Sequence, residues 1–286
     1  MMDKRTIMEN ANQQPAHGKI LDDIGLPYYD SYNNVPVGIK FNHKRLDDGS
    51  IYYLIKNEDG TWGDGVIPAE ASKGYDRNFQ YSNMPVAFKN KTFNDFRTDI
   101  YKTQSVMDAS FAVQRAQKYV ERFEEFYNDG MGLYLFSEAT GSGKTLLACI
   151  IANQLIRRYG ANVKFVKSVN LFEKLKKEIN SKEDIYLKND TMKSVIDAGV
   201  LIIDDLGAGN QSQFVSDKIY EIVDNRVNQN KVTIFTSRKP LKKLMYDNST
   251  LNLIKERSLA ISVPNENVAD NVIAKRNKKY EDILNS

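Results

Sequence analysis

The sequence predicts an α/β protein, with a parallel sheet held between two layers of helices and a smaller β-containing segment ahead of it. Three observations carry this. From residue 92 onward, apolar runs of strand length alternate with stretches of helical periodicity, the pattern of parallel strands joined by crossover helices. Val200-Leu201-Ile202-Ile203 has no polar alternation, so it reads as a strand covered on both faces. Leu133–Phe136 is a third strand-sized apolar run, and it breaks into a loop of small residues before an apolar helix through Leu155 and Ile156.

Before that region the character differs. Residues 1–20 are polar and rich in Asn and Gln, and from Ile20 to about Lys91 Tyr, Asn, Asp and Gly dominate. Ile51–Ile55, then Asn57-Glu58-Asp59-Gly60, then Thr61-Trp62 suggests a strand and an Asp-Gly hairpin turn. A domain boundary is expected near residue 91. The first segment, 1–91, is expected either to dock a partner or to be a structural appendage. His17 and His43 have no companions at metal-ligand spacing and read as surface residues.

The 286 residues suffice for one large or two small domains. The net charge is only +3, so any basic surface must be local. Cys149 is the single cysteine, which excludes a disulfide framework and a cysteine-based zinc site. No run approaches the ~18 apolar residues of a membrane span, and the charged N-terminus has no signal-peptide core. A cytoplasmic protein without a membrane partner is expected.

Taken in order, Thr92-Phe93-Asn94-Asp95-Phe96 leads into a helix over residues 106–127, with Ala112, Ala116, Tyr119, Val120, Phe123 and Tyr127 in helical rhythm. Asp129-Gly130 ends it. Gly160-Ala161-Asn162 turns the chain into the strand Val163–Val166. Ser168 is placed to cap a helix carrying Leu171, Phe172, Leu175 and Ile179. A helix through Met192–Ile196, the strand Val200–Ile203, a helix over 214–227 and the strand Val232–Phe235 follow.

The loop after Leu133–Phe136 is Ser137-Glu138-Ala139-Thr140-Gly141-Ser142-Gly143-Lys144-Thr145. Strand, Gly-rich loop, Lys-Thr, helix is the layout of a phosphate-binding loop. Gly141 and Gly143 let successive N–H groups turn inward as an anion nest, and the helix starting near Lys144 adds its positive end. Thr140, Gly141, Ser142, Gly143, Lys144 and Thr145 are the expected nucleotide contacts, with Lys144 at the terminal phosphates and Thr145 on Mg²⁺. Glu138 stands where the full pattern has its first glycine, and its carboxylate adds no affinity for phosphate. Asp204-Asp205 closes a buried strand. Parallel sheets bind ligands at the carboxyl ends of their strands, so Asp204 is expected to hold Mg²⁺ and Asp205 to polarise the attacking water. Thr236 and Ser237, at the tip of the next strand, are the expected polar sensor.

The full strand between the two motifs places the chain with P-loop ATPases that have an extra central strand, as in AAA+ proteins. Lys91–Phe96, Gly132–Leu135 with Thr140–Thr145, Leu201–Gly207, Thr233–Ser237 and Glu256-Arg257 together resemble the bacterial DnaC/DnaI helicase loaders and their phage relatives, over roughly residues 91–286. The resemblance implies an ATPase domain over 92–286 that takes ATP and Mg²⁺, self-associates, touches single-stranded DNA and docks a replicative helicase. It implies that Arg257 points at a neighbour's γ-phosphate. Two departures stand beside Glu138: Arg238 follows Thr236-Ser237 where the family usually has asparagine, and Ala269 stands where an arginine often touches the nucleotide. The stretch after Pro264 suffices for one amphipathic helix, with Val272, Ile273, Tyr280, Ile283 and Leu284 on one side, and not for a multi-helix lid. Lys242-Lys243 and Lys275-Arg276 with Lys278-Lys279 are either phosphate contacts or solvated helix faces. Two further readings stay open: a transposition helper ATPase like the IstB proteins, and a degenerate ATPase that binds and blocks a helicase.

Overall fold

Alternation and its absence sort the strands into two sheets. The computed structural model describes residues 41–45, 51–56, 62–67, 79, 81–180 and 190–284. The described strands of the N-terminal region are β1 (Phe41–Arg45), β2 (Ile51–Lys56) and β3 (Trp62–Ile67), antiparallel in the order β1-β2-β3. Tyr53 lies opposite His43 on one side and Gly65 on the other. The anticipated pairing of Ile51–Ile55 with a strand from Trp62 is present, and β1 is an addition that its mixed sequence did not signal. The Asn57–Thr61 turn lies outside the described residues.

The second unit is a five-stranded sheet in the order β5-β6-β7-β4-β8, formed by β4 (Gly132–Phe136), β5 (Val163–Lys167), β6 (Val200–Leu206), β7 (Val232–Ser237) and β8 (Ser258–Ser262). Every pairing is parallel. All six residues of β7 are buried, which follows from its place between β6 and β4 with helices on both faces. The strand that lies between the loop-bearing β4 and the aspartate-bearing β6 is therefore β7. The strand between those motifs in sequence, β5, goes to the edge. There its Phe165 N–H reaches the Ser82 carbonyl at 2.7 Å, so part of the open edge is capped.

The helices of this unit are α1 (Thr103–Glu121), α2 (Phe123–Asn128), α3 (Lys144–Tyr159), α4 (Ser168–Asn180), α5 (Asp190–Asp197), α6 (Gln213–Asn228), α7 (Asn248–Glu256) and α8 (Ala269–Leu284). The single helix expected over 106–127 is thus two, broken at Arg122, which has left the helical region at φ −111°, ψ 27°. α3 is apolar nearly all round, and Leu147, Ala148, Ile150, Ile151, Leu155 and Ile156 have no exposed surface, as a helix central to the fold requires. One face of α6, Ile219, Ile222 and Val223, packs with Tyr134, Leu201, Ile203 and Phe235 from three strands.

Three expectations are corrected. Ser168 does not cap its helix with its side chain; it is buried and donates to the Asp205 carbonyl at 2.7 Å. Ile179 is exposed instead of buried, one turn beyond Leu175 where α4 leaves the sheet. The last helix forms, but Val272, Ile273, Tyr280, Ile283 and Leu284 are exposed.

The chain divides into units at residues 77 and 78, earlier than the boundary expected near 91. Hydrogen bonds explain the difference: the Asn153 amide in α3 donates to the carbonyls of Phe88 (2.8 Å) and Lys91 (2.9 Å). Residues 82–91 are therefore tied to the second unit.

Candidate nucleotide site

The site is assembled where β4, β6 and β7 end. Gly141 (φ 67°) and Gly143 (φ 90°) both take left-handed backbone, a region costly for residues with a Cβ. Space imposes the same choice. A Cβ on Gly143 would come within 2.9 Å of the Phe96 ring and 3.0 Å of the Tyr101 oxygen, and one on Gly141 within 2.2 Å of the Asn267 side chain. The loop is held by its carbonyls from outside. The Tyr101 hydroxyl donates to the Ser142 carbonyl at 2.8 Å, and the N–H groups of Val268 and Ala269 both donate to the Gly141 carbonyl. With those carbonyls engaged outward, the loop's N–H groups remain for an anion.

Lys144, only 8% exposed, folds over the loop, its Nζ donating to the Ala139 carbonyl (2.7 Å) and the Ser142 Oγ (3.0 Å). Burial lowers its pKa; Asp205 opposes that shift, Arg238 adds to it and Asp204 opposes it. A buried ammonium across a ring of turned-in amides is a cradle that a polyanion completes electrostatically. Thr140 stands exposed at the rim.

Asp204 is 4% exposed. Its Oδ1 accepts from the Thr145 hydroxyl at 2.8 Å and from the Thr236 hydroxyl at 2.7 Å. Thr236 Oγ1 in turn accepts from the Asp205 N–H at 2.8 Å. Thr145, Asp204 and Thr236 thus meet across three elements that the sequence separates widely. A hydroxyl and a carboxylate side by side are hard oxygen donors of the kind Mg²⁺ takes, and they fit that ion. Among the described residues no group of three or more His, Cys, Asp or Glu side chains forms a fuller metal cluster.

Ser237 is not brought to the site. It is fully buried and donates to the Leu206 carbonyl at 2.8 Å, because successive side chains of a strand point to opposite faces and Thr236 has the site-facing one. Arg257 is also elsewhere. Its carbonyl accepts the Gly132 N–H at the start of β4, the strand end opposite the loop. Its Nη1 donates to the Asp129 carbonyl (2.8 Å) and to Asn230 Oδ1 (3.1 Å), and its Nε lies 3.5 Å from Glu256.

Other side chains at the site were not signalled by the sequence. Tyr101 and Phe96 stack at 6.1 Å beneath Gly143. Lys243, read as a candidate phosphate contact, instead pairs with Glu138 at 3.0 Å, which neutralises the carboxylate at the loop's mouth. Asp205 has φ 57° and is held by Arg238.

The replicative helicase loader DnaC of Escherichia coli (strain K12) is 25% identical to this chain over 159 residues, covering 55% of this chain and 59% of that protein. DnaC of Buchnera aphidicola subsp. Acyrthosiphon pisum is 25% identical over 152 residues, 53% of this chain and 57% of that protein. The chain therefore spans less than two thirds of the length of these curated relatives. Among solved structures, DnaI superposes with a TM-score of 0.50 at 25% identity, over 64% of this chain and 95% of that one. These are proteins of the DnaC/DnaI type that the motifs indicate. Residues 90–252 match the family of IstB-like ATP binding proteins; the match covers more than half of the chain, and the chain belongs to that family.

Proposed function

We propose that the chain is an ATP-hydrolysing, helicase-loader-like protein of DNA replication that docks a replicative helicase onto single-stranded DNA. One observation supports the nucleotide part above others: Thr145, Asp204 and Thr236 join through a single carboxylate oxygen beside the Lys144 loop. ATP would lie with its phosphates on the loop amides and Lys144. Thr145 and Asp204 would hold Mg²⁺, which when bound neutralises phosphate charge. Asp205 would accept a proton from the attacking water. The loader role rests on the names of the relatives, with residues 1–91 as the docking segment.

Asp205→Asn tests the hydrolytic part. It is expected to bind nucleotide and to lose turnover by about 10²–10⁴, the usual contribution of a general base. Asp204→Asn is expected to bind nucleotide with weakened Mg²⁺ dependence. The measurement is steady-state phosphate release over a Mg²⁺ series, beside nucleotide titration; unchanged rates in both variants reject the assignment.

Self-association with Arg257 as a finger in trans is part of the proposal. It requires Arg257 to leave Asp129 and Asn230, and both contacts are partly exposed and exchangeable. Arg257→Ala is expected to bind ATP as the wild type does when dilute, and to lose the rise of specific activity with protein concentration. A finger of this kind contributes about 10³–10⁵ in rate. Activity that still climbs with concentration in the variant would leave Arg257 as an anchor of β8 alone.

The family match favours a second reading, an IstB-like transposition helper. Affinity capture with purified helicase against purified transposase separates the two. The cytoplasm is the proposed location; no described helix is long and apolar enough to cross a membrane.

A further inference from the structure

Asp205 is bound where a catalytic base would need to be free. The β6–β7 register shifts between Ile203 and Leu206, and Asp205 leaves the ladder in left-handed backbone, φ 57°. For a residue other than glycine that conformation persists only when its surroundings hold it. Three contacts hold it here. Its N–H donates to Thr236, its carbonyl accepts from Ser168, and its two carboxylate oxygens accept from Arg238 Nε and Nη2, each at 3.0 Å.

Arg238 is the first residue after β7 and therefore follows directly on Thr236 and Ser237. Its charge is felt at Lys144, where it disfavours the ammonium. Two cations, Lys144 and Arg238, thus share one field with two carboxylates, Asp204 and Asp205. That cluster is balanced before any phosphate enters. A nucleoside triphosphate brings charge that only one of the two cations, Lys144, is otherwise placed to meet.

We propose that Arg238 is a latch that distinguishes nucleoside triphosphate from diphosphate: without a terminal phosphate it holds Asp205 in a bidentate pair, and with one it passes to that phosphate and frees Asp205. This rests on the reading of the loop as an ATP site. The energetics favour exchange. The pair is about half exposed, 45% for Arg238 and 40% for Asp205, and half-exposed ion pairs contribute little. A guanidinium on phosphate makes the same two-pronged contact with a more highly charged partner. Diphosphate offers no acceptor in that place, so the latch stays shut and Asp205 stays occupied. Arg238 is a positioning residue for Asp205 under this scheme.

The test is equilibrium titration of fluorescent ADP and of a non-hydrolysable ATP analogue, with Mg²⁺, against wild type, Arg238→Gln and Asp205→Asn. Arg238→Gln is expected to bind the ATP analogue about tenfold more weakly, the loss of one charge-assisted hydrogen bond, with ADP affinity unchanged. Asp205→Asn, which releases the latch, is expected to bind the analogue several-fold more tightly, again with ADP unchanged. Melting curves without nucleotide should superpose for all three proteins, since the pair is half exposed. An Arg238→Gln protein that keeps wild-type affinity for the analogue, or loses both nucleotides equally, overturns the latch while leaving the ATP site standing. A wild-type protein that binds neither nucleotide overturns the site reading and the latch with it.

Discussion

Lys144→Ala is expected to abolish nucleotide binding. Its Nζ reaches over the loop and is held there by the Ala139 carbonyl and Ser142. It is also mostly desolvated, with its charged form already disfavoured by burial. Such a group gains most from an anion, because little water must be displaced when the two meet. Each hydrogen bond to a charged group contributes about 1.5–3 kcal/mol. Removing two such bonds to phosphate together corresponds to roughly 10²–10⁴ in affinity. Titration of labelled ATP by fluorescence anisotropy measures this directly. The variant should stay folded, since the loop remains fastened by Tyr101, Val268 and Ala269 on its carbonyl side. Wild-type affinity in the variant would mean that phosphates do not sit on this loop.

How far the sequence reached depends on the range of the contact. β6 and β7 were readable because burial on both faces removes alternation from the residues themselves. The Lys144-Thr145 pair was readable because strand, loop and helix lie consecutively, and Asp204 because it ends its strand. Their meeting at one carboxylate oxygen follows from the parallel order of the sheet. The same logic explains the failure at Ser237: side-chain alternation allows one of two neighbouring hydroxyls to face the site, and the dipeptide alone does not say which. Ser168 has the composition of a cap, but a carbonyl on the neighbouring strand competes for its hydroxyl. Tyr101, Asn267 and Arg238 were out of reach as partners of the site. Tyr101 meets Ser142 across 41 positions of sequence, and Arg238 meets Asp205 across 33. No local pattern encodes either distance.

The largest stability effect is expected at a residue that no motif marked. Arg226→Met should destabilise the ATPase unit by about 3–5 kcal/mol, as breaking a buried charged network does. Arg226 is fully buried in α6, and burial lowers its pKa, with Tyr127 opposing. Its described hydrogen bonds go to no carboxylate. Nε donates to Thr233 Oγ1 at 2.9 Å, Nη1 to the carbonyls of Val195 (2.8 Å), Ile196 (3.1 Å) and Ala198 (2.7 Å), and Nη2 to those of Gly199 and Val232. Val195 and Ile196 belong to the last turn of α5, whose carbonyls have no partners within the helix and form the negative end of its dipole. The guanidinium is stabilised by those dipoles in place of a counter-ion. Methionine fills similar volume but donates nothing, so several buried carbonyls lose their partner, at about 1–3 kcal/mol each before relaxation. Arg226→Lys should recover little, because an ammonium has three donors and no planar fork to span both sides. Urea unfolding gives the measurement, and a midpoint within error of wild type would show that the carbonyls find other donors. The consequence reaches the site. Arg226 fastens the residues entering β6 to the start of β7, and the far ends of those two strands carry Asp204 and Thr236. Loosening the strands at one end removes the constraint that keeps the carboxylate and the hydroxyl 2.7 Å apart at the other, so Arg226→Met protein that remains folded should also bind ATP more weakly.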